Sequence, residues 1–234
     1  MTLDQQLRRA GSYVVLAAIG VVPAMALAAG VEFVFFSRMA GLMTHSVHGP
    51  LAVLTGWLRV VAAVSGGLQY LGAGVAFALI ARGVEANRAG REPILRYAFN
   101  GSGARAGSLA AVLLVSSLIV GMAFAVASAV GAVVAFFVCL APIAVAVDGE
   151  TAPTAFRRCV RAALRTPVRT ALLVGCTAFV LIMLNLLRLA FSLSAAQFGH
   201  FSFGVQGVGA VTSVIVVAFG GVLLARGYLT ASGK

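Results

Sequence analysis

The chain has 234 residues, of which 61% are hydrophobic and 10% charged, against roughly 45–50% and 25% in soluble domains. A water-soluble fold of that composition has too little polar surface to cover itself, so soluble classes are excluded and a polytopic membrane protein is indicated. The net charge of +11, from 17 Lys plus Arg against 6 Asp plus Glu, would point to nucleic acid in a soluble protein. Here the arginines stand between long apolar stretches, where they set orientation and meet anionic headgroups, and no nucleic-acid partner is expected.

A bilayer core needs about 20 apolar residues per helix, which divides the chain into six expected spans. The first covers about 12–36. It follows Arg8 and Arg9 and runs through a small-residue stretch from Ala24 that resembles a signal-peptide cleavage site. Its continuation to Phe36 indicates a retained helix. The second covers about 51–80. The stretch 107–147 is too long for one crossing and is expected to turn near Ser128 and Gly131, giving spans of about 107–126 and 129–147. The fifth and sixth fall at about 170–191 and 206–229. The expected fold is therefore all-α: a single domain of residues 1–234 forming a six-helix transmembrane bundle.

Orientation follows from the positive charges. With both termini in the cytoplasm, fourteen of the 17 lie inside, and only Arg38, Arg59 and Arg188 lie outside. Short cytoplasmic loops carry such an excess, so a multi-pass protein of the cell membrane is expected. The six spans also read as three hairpins. Each opens with a similar phrase: Gln6-Leu7-Arg8-Arg9-Ala10, Ile94-Leu95-Arg96-Tyr97-Ala98 and Ala155-Phe156-Arg157-Arg158-Cys159. That pattern would correspond to parallel repeats.

Between the fourth and fifth spans, residues 152–165 read as an amphipathic helix at the cytoplasmic interface. Phe156, Val160, Ala163 and Leu164 form an apolar stripe, and Arg157, Arg161 and Arg165 another. Asp148 and Glu150 precede the helix start, where the macrodipole favours anions, and Pro153 falls in the first turn. Arg157, Arg158, Arg161 and Arg165 are the expected contacts to anionic lipid or to a partner subunit, with Phe156 and Val160 facing the membrane.

The same region resembles a known pattern. Leu140-Ala141-Pro142, Val147-Asp148-Gly149 and Ala155-Phe156-Arg157-Arg158-Cys159 are similar to segments of uncharacterised six-helix bacterial and archaeal membrane proteins. Those are related to the membrane domain found with glycerophosphodiester phosphodiesterases and to YciC-like proteins. The resemblance covers about 30 residues (Pro142 to Arg169) and implies the six-helix architecture. The family pattern usually has Ser where Cys159 stands. The 234 residues include no soluble phosphodiesterase domain, and no catalytic residue carries over.

Catalytic signatures are mostly absent: there is no GxxxxGK[ST] phosphate loop, GxSxG elbow or HExxH helix. No carboxylate lies near the middle of a span, which argues against a proton relay. Glu32 and Arg59, both toward the external side, are expected to form an interhelical pair, or else a gate or ligand site. Asn185 and Arg188 lie one helical turn apart on the fifth span. There Arg188 is expected to snorkel outward, and Asn185 to bond another helix or, with Thr177, Ser116 and Ser117, to line a polar cavity. His45, His48 and His200 fall on the external side as loop histidines or, with Met39 and Met43 nearby, as ligands to a metal such as copper. Cys139, Cys159 and Cys176 lack CxxC spacing and suggest no disulfide or thiolate metal framework. The small residues Ala127, Gly131 and Ala135, and the pairs Gly66-Gly67 and Gly220-Gly221, read as helix-packing surfaces.

The function expected from these features is a non-enzymatic scaffold or accessory subunit of a membrane complex, with no cofactor. Its partners would be anionic lipids and other subunits. The alternatives are a transporter or permease component for a small molecule or lipid, and a membrane metal protein using the external histidines.

Overall fold

A computed structural model describes residues 3–43, 50–91, 94–100, 105–165 and 203–231. All its elements are helices: α1 (Leu3–Met43), α2 (Pro50–Arg88), α3 (Ile94–Phe99), α4 (Ala106–Val126), α5 (Ser128–Val138), α6 (Ala141–Asp148), α7 (Ala152–Arg165) and α8 (Phe203–Ala231). Among the described residues, four stretches are long and apolar enough to cross a membrane: Gln5–Phe35, Arg59–Arg88, Ala106–Val126 and Gly207–Thr230. The expected fifth span, 170–191, lies outside the described residues.

The stretch expected as a fourth span is two short helices. Proline has no N–H to donate to the carbonyl four residues back, and its ring clashes with that carbonyl. Pro142 therefore parts α5 from α6 at Cys139–Leu140, and it occupies the first turn of α6, where a donor is not required. The turn before α5 falls where the small residues placed it: Ala127 adopts extended φ and ψ of −163° and 147°, reversing the chain so that α5 packs back on α4.

Helix α2 is the centre of the bundle, packing against α1, α4, α6 and α8. Its register is set by residues too small to keep the backbones apart. A Cβ on Gly20 of α1 would lie 2.3 Å from the Gly72 carbonyl oxygen, and a Cβ on Gly72 would lie 2.4 Å from the Ala24 Cβ. On the opposite flank, a Cβ on Gly67 would lie 2.9 Å from the Ser117 carbonyl, and one on Gly121 would lie 2.6 Å from the Ala63 carbonyl. In lipid there is no hydrophobic drive between helices, so close approach of this kind is what holds them. Gly66, Gly67 and Gly221 lie inside unbroken helices and serve packing, and Gly131, inside α5, packs against the Phe124 ring of α4. The core between the helices is filled by Leu16, Ile80, Ile143 and Leu229, all fully buried.

Candidate functional site: the arginine-rich end of the bundle

The N-terminal part of α1, the C-terminal ends of α2, α6 and α8, and the start of α4 meet at one end of the bundle. Arg88 donates from Nη2 to Thr230 Oγ1 at 3.1 Å, joining α2 to α8. Tyr13 of α1 interacts with Asn87 and feels the charges of Arg9 and Arg226. Arg91 lies over the Tyr97 ring at 5.2 Å. Arg9, Arg88, Arg91, Arg105, Arg158 and Arg226 thus gather at one end of the fold, while Arg38 and Arg59 stand toward the other ends of α1 and α2.

Helix α6 ends here. Gly149 takes a left-handed φ of 70°, which glycine adopts without Cβ strain, and its N–H donates to the Val145 carbonyl at 3.1 Å. The last carbonyls of a helix lack intrahelical donors. Arg105, just before α4, supplies them: its Nη1 donates to the Ala146 carbonyl at 2.8 Å and the Val147 carbonyl at 3.2 Å. A cation at this end also complements the helix dipole. A Cβ on Gly149 would come within 3.0 Å of Arg105 Nε, so the glycine leaves room for this cap.

Beside the cap lies an ionic cluster. Arg158 of α7 reaches back with Nη1 to Asp148 Oδ2 at 2.8 Å and Glu150 Oε1 at 2.6 Å. Tyr228 of α8 donates its hydroxyl to the same Asp148 oxygen, and the Arg158 guanidinium lies over its ring at 5.5 Å. The hydrogen bond to Glu150 holds the Arg158 pKa above its ordinary value. Charge-assisted bonds of this kind are among the stronger polar contacts, and Asp148 is only 9% exposed. The cluster ties the end of α6 and the body of α7 to the end of α8.

Helix α7 forms over the expected residues. Ala155 and Cys159 are buried, and Phe156 packs against the core instead of facing outward. The Cys159 thiol donates to the Phe137 carbonyl, and the Leu140 and Ala141 N–H groups face its sulfur, so it closes the gap between α5 and α6. Burial pushes this thiol up to about 12, against the pull of those two N–H groups. The exposed face carries Arg157, Val160, Arg161 and Leu164, spaced i, i+3, i+4 and i+7 on one stripe. Arg158 is withdrawn from that face by its carboxylates. The Arg165 side chain lies outside the described residues.

The other expected sites fare differently. Glu32 is 3% exposed, and its Oε1 accepts a bond from Ser65 Oγ at 3.3 Å; Arg59 is exposed on α2. His45, His48, His200, Asn185 and Arg188 lie outside the described residues. Among the described residues, no three His, Cys, Asp or Glu side chains group as metal ligands. The Asp148–Arg158–Tyr228 cluster was missed in the sequence, where Asp148 and Glu150 read only as dipole partners. The one signal available was an acidic pair flanking a glycine, ten residues ahead of an arginine on a helix. No family model matches this chain, and neither does any curated protein or solved structure.

Proposed function

We propose that this chain is a non-enzymatic, multi-pass protein of the cell membrane that serves as a scaffold or accessory subunit. Its arginine-rich end would rest on the anionic headgroups of the cytoplasmic leaflet. The observation that carries the reading is the exposed α7 stripe of Arg157, Val160, Arg161 and Leu164, beside a cluster in which Arg158 is already engaged by Asp148 and Glu150. Alternating guanidinium and aliphatic side chains suit the headgroup–acyl boundary, where cations meet phosphate and apolar groups meet chains. The six-helix architecture, with both termini inside, belongs to this proposal, as does the kinship with YciC-like proteins.

Purification in mild detergent tests the reading. A stoichiometric membrane partner together with retained anionic lipid is the expected result; a monodisperse lone protein without bound anionic lipid overturns it. One observation favours a second reading, a transporter or permease component: the proline-parted α5–α6 segment. Helices interrupted within the bilayer form the binding sites of many transporters.

A further inference from the structure

Helix α7 runs back along α6 instead of lying across its end. Depth is read along α2, at about 1.5 Å per residue. Tyr70 of α2 clusters with Val138 of α5, and Phe156 of α7 packs on that cluster. Four residues on, a Cβ on Gly74 would lie 3.6 Å from Pro142 Cγ, so α5 and α6 keep step with α2 across their kink. Gly74 is about 12 Å along the helix from Arg82, the next charged residue of α2. The Cys159 thiol donates to the Phe137 carbonyl, which puts the middle of α7 at this same level. From Ala152 to Cys159 is about 10 Å, and from Asp148 back to Leu140 about 12 Å, so the two helices are antiparallel. Arg158 accordingly leans back to Asp148, as helical side chains do toward the N-terminus. Arg161, exposed, lies deeper still.

We infer that α7 re-enters the cytoplasmic leaflet, and that Arg161 there holds the phosphodiester of an anionic lipid below the headgroup plane. This deep seat rests on the lipid contact proposed for α7 and adds its depth. A guanidinium in hydrocarbon is costly unless it is paired or reached by water. The acidic side chains nearest in sequence, Asp148 and Glu150, are engaged by Arg158. No acidic side chain follows Glu150, so the counter-charge comes from the membrane. Phosphate oxygens match the guanidinium fork, and a bilayer thins locally around such a charge. The neighbours decide for a lipid over a free anion. Val160 and Leu164 are exposed on the same stripe and give acyl chains an apolar track beside the phosphate.

The test uses the full chain in nanodiscs of phosphatidylcholine and phosphatidylglycerol. In a background with Cys139→Ser and Cys176→Ser, a fluorophore is attached at Pro153→Cys or Leu164→Cys, both exposed positions of α7. Nitroxide on the lipid headgroup should quench the first more strongly, and nitroxide in mid-chain the second, since about 16 Å of helix separate them. Headgroup quenching that dominates at both positions would show α7 flat on the surface. That overturns the inference and leaves the shallower lipid contact standing. In native mass spectrometry, Arg161→Gln should lower phosphatidylglycerol retention roughly five-fold, the equivalent of about 1 kcal/mol. Excess inorganic phosphate should not displace the lipid. Unchanged retention with a deep Leu164 probe, or displacement by phosphate, also overturns the inference. Only unchanged retention in the Arg157→Gln, Arg161→Gln double variant removes the proposed lipid contact with it.

Discussion

Arg158 and Asp148, ten residues apart, meet at 2.8 Å across the left-handed turn at Gly149. The same guanidinium nitrogen also holds Glu150. Arg158→Gln would leave Asp148, part-buried at the end of α6, with its charge only partly compensated by Tyr228. A loss of about 1–2 kcal/mol is expected, between the values for surface and buried pairs because Arg158 is 41% exposed. In a detergent melting assay, Asp148→Asn combined with Arg158→Gln should cost less than the sum of the two. Strict additivity would show that the pair is uncoupled.

The exposed arginines of α7 make a separate prediction. Arg157→Gln with Arg161→Gln should lower retention of anionic lipid in native mass spectrometry, and added salt should do the same to the unaltered protein, since exposed charges are screened beyond roughly 8–10 Å at physiological ionic strength. Arg158→Gln should reduce stability more than lipid retention. Equal retention by the double variant and the unaltered chain would refute the lipid contact.

The α1–α2 crossing is tested with glycines on one helix. Gly20→Ala forces a methyl against the Gly72 carbonyl, whereas Gly30→Ala on the same helix meets nothing within 4 Å. The first should cost roughly 1–3 kcal/mol. The second should be neutral or mildly stabilising, because alanine is the better helix former. Matching melting curves for the two variants would place the helices farther apart than described.

Cys159 should be chemically silent near neutrality. With its pKa raised from an ordinary value of 9.0 to about 12, it stays protonated where exposed thiols begin to ionise, and the thiolate is the nucleophile. In a background with Cys139→Ser and Cys176→Ser, maleimide should label Cys159 at pH 8 only after the chain is unfolded. The sign of the stability effect follows. The folded thiol holds its proton more tightly than the unfolded one, so its contribution is intact below pH 9 and is lost as the pH climbs toward 12. Rapid labelling of the folded protein would contradict the burial.

Topology is checked with reporter fusions. The charge bias predicts that a fusion at Ser46 reads outside and one at Gly103 inside. The reverse would invert the arginine-rich end as well, and with it the leaflet it meets.

Much of this fold is legible in the sequence because bilayer thickness sets helix length. The apolar runs that opened and closed the chain are helices, the small residues near Ser128 mark a turn, and α7 occupies 152–165. The site was harder to read, for a physical reason. Helical periodicity says which residues share a stripe, but not which stripe turns inward. Val160 and Phe156 read as one apolar face, yet Phe156 packs on the core while Val160 is 40% exposed. Arg158 read as one more surface cation, because its carboxylates lie on the far side of a reversal that only Gly149 permits. Small residues occur throughout these helices, so composition alone did not single out Gly20 and Gly72 as the tightest crossing.

That crossing also bears on the order of assembly. Both glycines lie within α1 and α2, which end at Arg88, and synthesis delivers the N-terminal part of a chain first. The hairpin has what it needs to close before α4 leaves the ribosome. Helix α8 packs on both α1 and α2, and its Gly221 seats against Phe77 and Ile80, so it docks last onto a surface already formed. A chain cut before residue 203 would therefore keep its founding hairpin and expose one bare flank to lipid.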